Sequence, residues 1–313
     1  MSSESDSAEE VSAIHLLDLR TGESEELATF QDFYIWSAAA DLTWEAVLVG
    51  GFDLAGQRLA RFYRLRVPRA VDTGEGAVVV LEAEGTRQPY AGVVFDAGEE
   101  VFYLAMEAVG TGAEGEKYRD TVLYRYEPYV PPVELTRFGR TVFLEGEVDE
   151  GKIFVTYDGE TPYGVSRVYG YIDKGTYDIV PLGIYPAYLG REPRRYVPYG
   201  GMEVGVGQYT PSVPTAIAGP RAYVSEEVSS TEPTARTMYL RESGAPGGYR
   251  EVEAAGSSES VLYSQNRQAF IYLTAPVENG DRWMINVIYA DGTLGDPVPL
   301  PPGEATYELL RVE

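Results

Sequence analysis

The 313-residue sequence contains no cysteine, one histidine, three lysines and three asparagines, and each shortage removes a class of chemistry. Without cysteine there is no disulfide, no thiolate nucleophile and no cysteine-ligated metal, and redox usage leaves the compartment open. His15 alone cannot assemble a Ser-His-Asp triad or a histidine metal site. It sits inside a period-2 apolar run, which predicts a structural role. No run of about eighteen apolar residues occurs, so no membrane-spanning helix is predicted, and no signal peptide is visible. Also missing are a phosphate-cradling Gly-Lys-Ser/Thr loop, a His-Glu-x-x-His motif and a Gly-x-Ser-x-Gly elbow. No cofactor is expected. Positive charge is scarce as well: 25 Lys and Arg against 49 Asp and Glu leave a formal charge of -24. That field repels phosphate backbones, so nucleic acid is not an expected partner.

What is abundant points one way. Apolar residues are 44% of the chain and aromatics 12%, enough buried surface to exclude global disorder. Tyr dominates the aromatics, 25 against 10 Phe and 3 Trp, a bias suited to half-buried strands whose rings pack on one side and hydrogen-bond on the other. With 34 Gly and 20 Pro punctuating Val-rich runs, the composition predicts an all-β chain of short strands and turns.

The runs come in order. Ala13 to Leu19, a turn at Thr21-Gly22-Glu23 and Glu26 to Phe30 read as a hairpin; Phe33 to Ser37 and Trp44 to Val49 read as a second. Units of about four strands then recur, spanning 61–104 and 121–157 and restarting at Arg167, Thr237 and Trp283. The last run, 305–312, lacks partners, while 13–30 reads as the second half of a unit. Pairing the two would close a ring and remove an exposed edge.

These units resemble the repeats of TolB-like, WD40-like β-propellers. In that family a unit reads as a Trp-Ser-Pro-Asp-Gly hairpin, an apolar strand, a strand ending Asp-Leu with a turn glycine, and a short strand ending Leu-Thr. The matching residues are Trp36-Ser37, Leu17-Asp18-Leu19 with Gly22, and Glu134-Leu135-Thr136. The resemblance implies a β-propeller of about six blades closed by pairing of the N- and C-terminal strands. A pair of β-sandwiches is the competing architecture. Residues 1–11, rich in Ser, Glu and Asp, are expected to form a flexible acidic tether, and 12–313 a single propeller domain. Such a tether resembles the spacer behind the lipid-bearing cysteine of bacterial surface lipoproteins, which implies an extracytoplasmic place and a lipid anchor on the native N-terminus; the alternative is an ordinary disordered N-terminus.

One stretch breaks the repeat. Residues 184–215 are rich in Pro and Gly and carry Tyr185, Tyr188, Arg191, Arg194, Arg195, Tyr196 and Tyr199, an arginine-tyrosine concentration of the kind that dominates binding hot spots. These seven residues are the expected binding site. The alternative is that the tyrosines pack the loop and the arginines neutralise nearby carboxylates. The acidic pairs Glu99-Glu100, Asp149-Glu150 and Glu226-Glu227 and the segment Asp158-Gly159-Glu160 are expected at turns. The expected function is a non-enzymatic binding or scaffold propeller with protein partners in an envelope or surface assembly. The alternatives are a carbohydrate-active hydrolase or lyase using carboxylates in a central cleft, with a glycan as ligand, and a virion or filament subunit.

Overall fold

The computed structural model describes residues 11–18, 21–43, 45–66, 77–112, 115–149, 151–161, 164–184, 197–199, 202–204, 213–218, 222–228, 236–242, 249–252, 258–264, 269–274, 282–289 and 293–301. Every regular element among them is a strand. An opening two-stranded sheet pairs β1 (Val11–Leu17) with β2 (Ser24–Gln31). Five four-stranded sheets follow, each in chain order. The first is β3 (Phe33–Ala40), β4 (Ala46–Asp53), β5 (Leu59–Arg66) and β6 (Ala77–Glu84). The second is β7 (Ala91–Asp96), β8 (Val101–Thr111), β9 (Lys117–Tyr126) and β10 (Val133–Arg137). The third is β11 (Val142–Asp149), β12 (Lys152–Thr161), β13 (Gly164–Asp173) and β14 (Ile179–Ile184). A small hairpin of β15 (Val197–Tyr199) and β16 (Met202–Val204) precedes the fourth, β17 (Val213–Ala218), β18 (Ala222–Val228), β19 (Arg236–Glu242) and β20 (Tyr249–Val252). The fifth is β21 (Ser258–Ser264), β22 (Ala269–Thr274), β23 (Met284–Tyr289) and β24 (Val298–Pro299).

By contacts the chain divides into two compact units, residues 1–18, 23–158 and 171–179 in one and 19–22, 159–170 and 180–313 in the other. Within the first unit, β3 lies beside β7 and β7 beside β11; within the second, β17 lies beside β21. Sheets that meet through their first strands fan outward, as propeller blades do, rather than stacking face to face as a sandwich requires.

The core of the first unit lies between its first two four-stranded sheets: Leu48 and Phe62 from one, Val93, Phe102, Leu104 and Met106 from the other. Gly50 sets their spacing: a side chain there would stand 2.4 Å from the Ala91 carbonyl oxygen of the next sheet. Gly51 is tight within its own sheet, where a side chain would stand 2.0 Å from the Tyr34 carbonyl oxygen of β3.

The four-strand period read from the sequence is present, but its phase is shifted by two strands. Blades run 33–84, 91–137 and 142–184 rather than 61–104 and 121–157. Hairpin turns and blade-to-blade connections here are equally short, so a run of similar strands carries the period without marking where a sheet ends. The opening hairpin is a half unit, as expected, and Gly22 at its turn takes φ +73°, with Val298 of β24 beside it. The 305–312 strand and the 1–10 tether lie outside the described residues. Two turn expectations are overturned: residues 158–160 lie inside β12, and Glu226-Glu227 lie inside β18, opposite Met238 and Thr237. Acidic residues within strands mimic turn composition. Glu99-Glu100 does occupy the β7–β8 turn.

Candidate functional site

Trp36-Ser37 sits in the middle of β3, the first strand of the β3–β4 hairpin, as expected of the run Phe33 to Ser37. The pairing of β3 with β4 slips between Ile35 and Ser37, so Trp36 is the bulged residue. A bulge re-aims a side chain out of the regular pleat. Here it sends the indole toward the next sheet, where Nε1 donates to the Pro89 carbonyl at 3.1 Å. Ser37 completes the clamp: its Oγ donates to the Ala91 carbonyl at 3.2 Å and accepts from the Val93 amide at 2.9 Å. Tyr90 repeats the device one sheet further on, its hydroxyl accepting from the Leu144 amide at 2.9 Å. Its ring crosses Gly92, where a Cβ would lie 1.8 Å from the hydroxyl. Removing that hydroxyl with Tyr90→Phe should cost about 1 kcal/mol, read by denaturant melts, because the Leu144 amide loses its acceptor.

The clamp leaves an aromatic surface. Trp36 meets Tyr34 edge-on at 5.3 Å, Phe52 at 6.3 Å and Tyr90 at 6.0 Å, and Tyr90 meets Phe143 at 4.8 Å. These rings come from β3 and β4 of one sheet, from Tyr90 just before the first strand of the next, and from β11 of the third. Tyr90 and Phe52 are buried, Tyr34 and Phe143 half-buried, and Trp36 remains 37% exposed. An indole fixed by a hydrogen bond and three rings, with its face open, loses little freedom when a ligand covers it. That is the profile of a binding anchor.

Among the described residues, the buried carboxylates Asp96, Glu107 and Asp120 are committed to architecture. Asp96 accepts from the Gly98 and Glu99 amides at 2.9 and 3.3 Å and from Lys174 Nζ at 2.5 Å, while Lys174 also donates to Glu99 at 2.9 Å. This node ties the β7–β8 turn to the β13–β14 turn, which repeats its construction. Asp173 caps the Gly175 amide, and Tyr177 takes φ +59° where Glu100 takes +55°. Asp120 holds the Gly139 amide, and Glu107 takes both the amide and the hydroxyl of Thr86.

Protonation in the node disfavours acid-base work. Burial, with Glu99 and Tyr177 nearby, pushes the Tyr103 phenol far above its usual range, so it stays a neutral donor to Glu99. For Lys174, burial pulls its pKa down, but hydrogen bonds to Asp96 and Glu99 outweigh it and the net shift is upward. A lysine held charged is neither nucleophile nor base.

Of the seven residues expected to bind, Tyr185, Tyr188, Arg191, Arg194, Arg195 and Tyr196 lie outside the described residues. Tyr199 ends β15, opposite Met202. His15 is exposed on β1. The aromatic surface was missed because its members are far apart in sequence; the available signal was Trp36-Ser37, read only as part of a hairpin strand.

Comparison with known proteins places the fold. No family profile and no curated protein matches the chain. Among solved structures it is similar to TolB from Acinetobacter baumannii, at TM-score 0.55 and 14% identity over 93% of this chain and 60% of that one. It is also similar to an acylaminoacyl peptidase, at TM-score 0.52 and 10% identity over 88% of this chain and 49% of that one. The chain therefore spans about three fifths of the first and half of the second. At such identities the likeness establishes the fold alone: a TolB-like β-propeller.

Proposed function

We propose that this TolB-like β-propeller is a non-enzymatic binding module that engages a protein partner through the aromatic surface centred on Trp36. The observation that carries the reading is the indole itself, bulged out of β3, pinned to the Pro89 carbonyl and 37% exposed. Large aromatic side chains dominate the hot spots of protein interfaces, and one already held by its neighbours and partly exposed loses little freedom when a partner covers it. The buried carboxylates add support, since their oxygens already hold amides, hydroxyls and Lys174. An extracytoplasmic place, in an envelope or surface assembly, follows from the acidic N-terminal segment and belongs to the same proposal. No helix among the described residues is long and apolar enough to cross a membrane.

Trp36→Ala should weaken the partner by roughly thirtyfold or more, the loss expected of a hot-spot anchor. The check is recovery of the partner from envelope extract on immobilised wild-type and variant protein, followed by titration of the purified partner. Trp36→Phe, which keeps a ring but loses the bond to Pro89, should fall between them. The carbohydrate-active reading is decided by a glycan turnover screen. Turnover that survives Trp36→Ala and is abolished by a carboxylate substitution would replace the binding reading.

A further inference from the structure

Among the described residues, the fourth strand of each blade has an outer side with nothing beyond it in the sheet order. Three of these strands are guarded: β10 carries Glu134 and Arg137, β14 carries Pro181, and β24 carries Pro299. Charge and proline on an outer strand keep its open row of N–H and C=O groups from pairing with another chain. β6 has neither across its first five residues, Ala77-Val78-Val79-Val80-Leu81. Val78 is 41% exposed and Val79 49%, and neighbouring residues of a strand point to opposite faces, so both faces of this end stand clear. Its other side is taken by β5.

We propose that the outer edge of β6 receives an extended segment of a partner polypeptide as an added strand, with an apolar β-branched centre and basic flanks. Main-chain hydrogen bonds supply affinity in such an addition, and alternate side chains supply selectivity. Charge decides the occupant. The apolar run is followed by Glu82, which is paired with Arg61 of β5, and by Glu84, both exposed, on a chain of formal charge -24. A second copy brings the same charge and is repelled, whereas Lys or Arg beside an apolar strand is attracted and steered. The edge belongs to a different sheet side from the Trp36 surface, and the two bind independently.

The probe is a short labelled peptide of alternating valine and threonine flanked by arginines, followed by fluorescence anisotropy. Wild-type protein should bind it, Val79→Lys should weaken it by about tenfold or more, and Trp36→Ala should leave it unchanged. Glu84→Lys should weaken it too, while a glutamate-flanked version gains affinity for that variant. Both substituted positions are exposed, so thermal unfolding reports that the fold is kept. Equal binding by wild type and Val79→Lys would overturn the proposal. So would a wild-type dimer in sedimentation velocity that Val79→Lys dissolves, since the occupant would then be a second copy.

Discussion

Gly50→Val should destabilise the protein by at least about 3 kcal/mol and lower the melting temperature by several degrees. The cause is backbone, not side-chain, crowding. The new Cβ would sit 2.4 Å from the Ala91 carbonyl oxygen and 2.6 Å from the Phe62 ring. Phe62 is fully buried and Ala91 is the first residue of the next blade, so neither can swing away. Relief requires the first two four-stranded sheets to separate, and that unpacks Leu48, Val93 and Leu104. Gly56→Ala is the matched control: nothing lies within 4 Å of its Cβ, so its effect should stay within about 0.5 kcal/mol. Paired thermal melts read the difference, and equal melts would mean that β4 does not approach β7 as described.

Lys174→Met should have the second large effect, about 3 kcal/mol, because it leaves Asp96 buried without its cation. Asp96 is 5% exposed in its side chain and Lys174 11%, so solvent cannot stand in for the missing partner. Adding Asp96→Asn to Lys174→Met should recover part of the loss, since the amide oxygen can still cap Gly98 while the buried charge disappears. A double variant no better than the single would remove the ion pair from the account.

The same node predicts an alkaline weakness. Lys174 is raised in the folded state, so its contribution is fully present below the pKa of an unfolded lysine and is lost as pH climbs through the higher folded value. Tyr103 is raised as well, chiefly by burial, and acts in the same direction. Wild-type stability should therefore fall above about pH 10, and Lys174→Met should flatten that fall. Urea melts across this range carry the sign of the test.

The legible and illegible parts of the fold have separate causes. Strand runs such as Val101 to Leu104 and Val47 to Val49 announce themselves by composition, and the half unit at 13–30 by its turn glycine. Those are local properties. The blade phase was not local, because the connection at 85–90 is no longer than the hairpin connections at 18–23 and 127–132. Asp158-Gly159-Glu160 looked like a turn because glycine within a strand and glycine at a turn leave the same trace. The Trp36 surface is the extreme case. Its rings come from positions 34, 36, 52, 90 and 143, brought together only where first strands of successive sheets meet. Even there the sequence carried the right residues: Trp36-Ser37 stood out as part of a hairpin, and only the fold shows that this hairpin strand also clamps the next sheet.

The binding reading stands or falls on whether Trp36 is covered in the native assembly. A photo-crosslinking amino acid placed at position 36, with the same substitution at Gly56 as control, measures this in the producing cell. A discrete adduct to one partner polypeptide from position 36, absent from position 56, is the expected result. Adducts equal at both positions, or none at position 36, would contradict it.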